Sequence, residues 1–104
     1  MATGTLRVEV LSWVSRFVGG DGSTRRVFDE PLAEGATVRS VLAGLTSRFP
    51  ELARALWRDQ DIGEHIEVLV NDAVLGVEHG LDSPVGPGDQ ITLVGQFIGG
   101  TAWT

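Results

Sequence analysis

The chain contains no cysteine and no lysine, and each absence excludes a class of chemistry. Without thiols there can be no disulfide and no thiolate metal site. Without lysine, all eight basic residues are arginine, so the N-terminal amine is the only ordinary amine on the chain. Positive charge is scarce as well. Fourteen acidic residues leave a formal charge of -6, and a pI near 4.7 is the opposite of a surface that displaces counterions from phosphates. Nucleic acid is therefore not an expected partner. No apolar run approaches the roughly 20 residues that a membrane helix needs, and no basic segment followed by a hydrophobic stretch opens the chain. The expectation is a cytoplasmic protein without membrane attachment. Histidine is limited to His65 and His79, and the carboxylates are scattered rather than clustered, so neither a metal site nor a general base is expected.

What is present suits one folded unit. A length of 104 residues with 42% apolar content supports a single core. Leu6, Val8 and Val10 alternate with Arg7 and Glu9, the period-two pattern of a strand over Leu6 to Leu11 with one buried face. Gly19-Gly20-Asp21-Gly22-Ser23 reads as a loop between strands, and Arg25-Arg26-Val27-Phe28 as the hairpin partner, closed by Glu30-Pro31. Thr37 is placed to cap a helix whose apolar stripe is Val38, Val41, Leu42, Leu45 and Phe49. Pro50 ends that helix and suits the first turn of a second, with Leu52, Ala53, Leu56 and Trp57 as its apolar face. Ile66, Val68 and Val70 predict a further strand, Asn71-Asp72 a tight turn, and Val74-Leu75 a short return. Gly86-Pro87-Gly88-Asp89 turns the chain into a last strand, Gln90 to Val94. The expected fold is α+β, a mixed four- to five-stranded sheet around one main helix.

Beyond that strand the chain reads Gly95-Gln96-Phe97-Ile98-Gly99-Gly100-Thr101-Ala102-Trp103-Thr104. A glycine pair without Cβ atoms can pass through a channel too narrow for side chains. On the tail alone, a frayed terminus is an equal reading.

Element order and tail together resemble the MoaD/ThiS family of ubiquitin-like sulfur carriers, small β-grasp proteins. The resemblance spans nearly the whole chain. Leu6 to Leu11, Glu34-Gly35-Ala36-Thr37-Val38, Arg48-Phe49-Pro50-Glu51-Leu52, Val70-Asn71-Asp72, Gly80-Leu81-Asp82-Ser83-Pro84, Gly88-Asp89-Gln90-Ile91 and Gly99-Gly100 bear it. The family implies that the carboxylate of Gly100 is adenylated by a ubiquitin-activating-type enzyme using ATP and Mg. A sulfur donor then converts it to a thiocarboxylate, which serves a sulfur-accepting biosynthetic enzyme. It also implies that Gly99 and Gly100 enter partner active sites, that Phe97 and Ile98 guide the tail, and that the chain is not itself an enzyme and binds no cofactor or metal of its own.

Two features depart from the family pattern. Thr101-Ala102-Trp103-Thr104 follow the glycine pair, so the expected precursor is trimmed after Gly100 by a JAMM-type metalloprotease. The expected organisation is thus a domain and tail lead-in over residues 1–98, a functional terminus at 99–100 and a removable extension at 101–104. Gly95-Gln96-Phe97-Ile98 stands where many relatives have a Pro-Ala-type segment. Phe97 is either an interface anchor or folded back on the sheet, and cysteine, methionine or secondary-metabolite pathways stand beside molybdopterin as destinations. A protein modifier conjugated through Gly100 and a noncovalent interaction module are the alternative functions.

Other candidates read more simply as structure. The glycine-rich loop has no lysine and no helix behind it, so it fails as a phosphate cradle. Arg25 and Arg26 are an exposed strand pair, with an acidic partner as the alternative. Trp13 and Trp57 are assigned to packing. Asp59, Asp61 and Glu64 form a solvated acidic loop, with docking to a basic groove as the alternative.

Overall fold

In a computed structural model, residues 4–22, 25–76 and 79–95 are described. Alternation produces β1 (Thr5–Leu11), with Leu6, Val8 and Val10 buried. A 3-10 helix, Ser12–Val18, follows it directly. This differs from the expected plain hairpin loop. Ser12 turns the chain out of β1 at a φ of +64°, and Val14 and Val18 are then buried together. The hairpin partner β2 (Arg26–Pro31) is longer than predicted and includes Pro31, opposite Thr5. Proline is tolerated there because β2 is one of the sheet's two edge strands.

The predicted main helix is α1 (Val38–Arg48). Thr37 accepts a hydrogen bond from the Ser40 N–H at 3.1 Å, and Ser40 Oγ accepts one from the Thr37 N–H at 2.9 Å. The two caps satisfy each other's orphan donors. Two further N–H groups of the first turn donate outward, Val38 to the Ser83 carbonyl and Arg39 to that of Leu81. The Gly80–Pro84 segment therefore seats the helix. Phe49 lies past the helix end and packs on Phe28, ring centroids 5.5 Å apart.

The second helix, α2 (Pro50–Leu56), buries Leu52 and Leu56. Trp57 does not extend its face but begins a small hairpin, β3 (Trp57–Arg58) with β4 (Asp61–Ile62), that turns through Asp59 at a φ of +58°. The remaining strands are β5 (Ile66–Val70), β6 (Ala73–Val74) and β7 (Gln90–Gly95). Asn71 and Asp72, both at positive φ, make the predicted two-residue turn between β5 and β6. β7 runs one residue further than expected, taking Gly95 into the sheet.

The five-stranded sheet has the order β2-β1-β7-β5-β6. β1 and β7 are parallel and every other pair is antiparallel. One face presents Leu6, Val8, Val10, Ile66, Val68, Ile91 and Leu93 to Val38, Val41, Leu42 and Leu45 of α1, and together they form the core. Fully burying side chains of this kind contributes about 1.5–3 kcal/mol each. The fold is a ubiquitin-like β-grasp, as the sequence led one to expect.

Candidate functional site

Gln96 to Thr104 lie outside the described residues, and with them Phe97, Ile98, Gly99, Gly100 and the extension Thr101, Ala102, Trp103 and Thr104. The site that can be built is the point where this tail begins. Gly95 is the last residue of β7, buried and paired with Ile66 of β5. Against its α-carbon lies the indole of Trp13. A Cβ on Gly95 would come within 2.8 Å of Trp13 Cδ2 and closer still to Cε2 and Nε1. Only glycine fits beneath the ring. Trp13 in turn meets Phe17 edge to face, centroids 6.1 Å apart and planes at 88°.

Beside this root, the sheet face opposite α1 carries half-buried apolar side chains. Leu11 pairs with Val94, Val94 with Glu67, and Thr92 with Leu69. Leu11, Val94 and Leu69 are each half-buried. The C-terminal end of β7 therefore adjoins an apolar surface with a carboxylate in it.

The remaining predicted residues are not gathered at this root. His65 is exposed and His79 half-buried, and among the described residues no three His, Cys, Asp or Glu side chains are grouped to hold a metal. The glycine-rich loop wraps inward. Gly20 N–H donates to the Ser15 carbonyl at 2.9 Å, and Gly22 N–H donates to Ser15 Oγ at 3.2 Å, so these donors do not face a phosphate. Arg25 pairs with Glu9 at 3.6 Å, and Arg26 lies over the Phe28 ring. Trp57 donates its indole N–H to Thr46 Oγ1 at 3.1 Å, a packing role.

Asp59, Asp61 and Glu64 are exposed around the β3–β4 hairpin. Arg39 draws that hairpin to α1 by donating to the Gln60 carbonyl at 2.5 Å, and it donates separately to Asp82, in the segment that seats the helix, at 2.9 Å. The hydrogen bond from Arg39 holds the Asp82 carboxyl below its usual range, and the same bond raises Arg39.

Two motifs of the resemblance clasp one another at the other end of the sheet. Gln90 N–H donates to Asn71 Oδ1, and Asn71 Nδ2 donates to Asp89, both at 2.9 Å. Asp89 also accepts from Gly86 N–H at 2.9 Å. These two bonds, the Asn71 one the larger, hold the Asp89 carboxyl below its usual range.

The ThiS family profile matches residues 22–100, from the glycine-rich loop through the glycine pair. The chain belongs to the ThiS family. No curated protein matches it. Among solved structures, this ThiS-family chain is similar to CysO in the Amycolatopsis orientalis BexX/CysO complex. Identity there is 25%, over 89% of this chain and 99% of that one, with a TM-score of 0.68. The same fold appears in Haloferax volcanii SAMP1, at 24% identity over 93% and 100% of the two chains and a TM-score of 0.69. Mycobacterium tuberculosis CysO shares it at 20% identity over 86% and 99%, with a TM-score of 0.61.

Proposed function

We propose that this ThiS-family protein is a sulfur carrier whose working terminus is Gly100. The observation that bears most weight is the glycine pair itself. It follows the last strand of a β-grasp domain by a few residues, and the family match runs to Gly100 and not into 101–104. Residues 96–100 can span at most about 17 Å when extended, enough to carry a chain end from the body into a partner's cleft.

The chemistry is that of carboxylate activation. A carboxylate is a poor electrophile until one oxygen becomes part of a good leaving group. The Gly100 carboxylate attacks the α-phosphorus of ATP held by a ubiquitin-activating-type enzyme, and pyrophosphate departs. A sulfur nucleophile then attacks the acyl carbon and AMP leaves, so a thiocarboxylate forms. The thiocarboxylate sulfur attacks a biosynthetic acceptor, and water then cleaves the acyl–sulfur bond, leaving the sulfur on the acceptor and restoring the Gly100 carboxylate. The carrier supplies a slim, reachable chain end, and its partner supplies the catalytic groups. With no cysteine in the chain, the sulfur has only this backbone carboxyl to occupy.

Activation at Gly100 requires that the following residues be removed, which assigns Thr101–Thr104 to a precursor extension and calls for a protease of the JAMM type. Trp103 in particular does not follow two glycines into a narrow channel. The test is intact mass after incubation with the activating enzyme, Mg-ATP and a sulfide source. A form ending at Gly100 gains one sulfur in place of oxygen, while the form ending at Thr104 stays unmodified. Equal modification of both would overturn the precursor reading, and modification of neither would overturn the carrier reading.

A further inference from the structure

We propose that Trp13 is the positioning residue for the C-terminal tail, setting the direction in which the chain leaves the sheet at Gly95. The inference rests on the sulfur-carrier reading for its consequence and on geometry for its substance. Glycine is the most permissive residue in φ and ψ, so a glycine at the root of a tail would ordinarily be its widest hinge. Here the hinge is blocked. Gly95 is paired with Ile66 along the sheet, and its α-carbon is covered by the Trp13 indole so closely that any side chain would enter the ring. The ring both demands a glycine and removes the freedom that a glycine brings.

Trp13 is itself held by the local fold. Ser12, at a φ of +64°, turns the chain out of β1. Val14 and Val18 anchor the 3-10 helix in the core, and the indole edge meets Phe17. A seven-residue 3-10 helix at the end of β1 is thus folded around the task of holding an aromatic plate against the end of β7.

In a carrier, docking of the body to the activating enzyme and insertion of the tail are separable events. The body sets KM, and the fraction of docked complexes with the tail inserted sets kcat. Releasing the root adds the freedom of one backbone residue to the tail, which lowers that fraction by about tenfold. Because the carrier is the substrate, mere loss of folded protein acts differently. It raises the apparent KM and leaves kcat at saturation unchanged.

The experiment uses the form ending at Gly100 as the varied substrate in ATP–pyrophosphate exchange with the activating enzyme. W13A should lower kcat about tenfold with KM within about twofold of the parent, and W13F, which keeps a flat ring, should recover most of the loss. Trp13→Leu gives the same contrast should W13A not fold. A W13A defect confined to KM, or an unchanged kcat, would overturn the proposal. If the parent form itself supports no exchange, the carrier reading fails and the positioning role is judged by NMR. Gly95 Hα should lie upfield under the indole, and the Gly95 amide order parameter should fall in W13A; an unchanged order parameter rejects the role.

Discussion

Arg48 grips both carboxylate oxygens of Glu30, Nη1 at 3.1 Å and Nη2 at 2.5 Å, and so closes the seam between the last turn of α1 and the edge strand β2. Glu30 is buried on the inner face of β2, whereas the Arg48 side chain is half-exposed and lies over Phe49. The hydrogen bond with Glu30 raises the Arg48 pKa above its ordinary value. Arg48→Ala would leave a buried carboxylate without its partner and should cost about 1–3 kcal/mol in a urea titration. Arg48→Lys should recover only part of this, because an ammonium does not reproduce the two-pronged grip.

Asp89 gives the protein an acid-sensitive clasp. Its carboxyl is held below the ordinary 3.8 by Asn71 and the Gly86 amide. The folded state therefore binds fewer protons than the unfolded chain, and stability rises with pH through this window. The contribution is fully present above the ordinary value and disappears as pH falls through the lowered one. Asp82, lowered by Arg39, has the same sign. Thermal melts should show Asp89→Asn less stable than the parent near neutrality, with the difference shrinking steadily as pH drops below about 4.

Two glycine substitutions separate packing from backbone freedom in the loops. A Cβ on Gly20 would meet the Ser15 carbonyl oxygen at 2.9 Å, a backbone atom that cannot swing away. Gly20→Ala should destabilise the protein by about 1–3 kcal/mol. Gly86 has open space around it and an ordinary φ, so Gly86→Ala should be neutral or stabilising by up to about 1 kcal/mol. Calorimetric midpoints of the pair against the parent are a sufficient check.

Much of the sheet is legible in the sequence because one face of each central strand is buried and the other is not. Leu6, Val8 and Val10, and likewise Ile66, Val68 and Val70, alternate for that reason. The Thr37 cap was legible because helix starts demand a side-chain acceptor. The 3-10 helix is not, since it has no proline at its first turn of the kind by which Pro50 announces the equally short α2. Its signal was the pairing of Trp13 with Phe17 and Val14 with Val18, each four residues apart. The β3–β4 hairpin has only two residues per strand and depends on Asp59 adopting a positive φ, which no periodicity announces. Gly95 reads as the start of a tail from sequence. Its pairing with Ile66 in the sheet and its place under Trp13, eighty-two positions away, are invisible to local patterning.

A last prediction concerns the glycine pair. In the form ending at Gly100, Gly99→Ala and Gly100→Ala should each reduce thiocarboxylate formation at least about tenfold, since one methyl group in a channel shaped for backbone displaces the reacting carboxyl. Folding should be unaffected. If both variants support normal sulfur transfer in the cell, the tail acts other than as a covalent carrier. A noncovalent β-grasp module would behave in that way.

The parallel pairing of β1 with β7 has a mechanical consequence. Register runs from Arg7 opposite Gln90 to Leu11 opposite Val94, so the chain enters the centre of the sheet at one end and leaves it at the other. A force applied between the two chain ends would load this central ladder in shear, stressing its hydrogen bonds together rather than peeling them one at a time. The body of the domain is thereby braced along a line of pull that runs through β1 and β7.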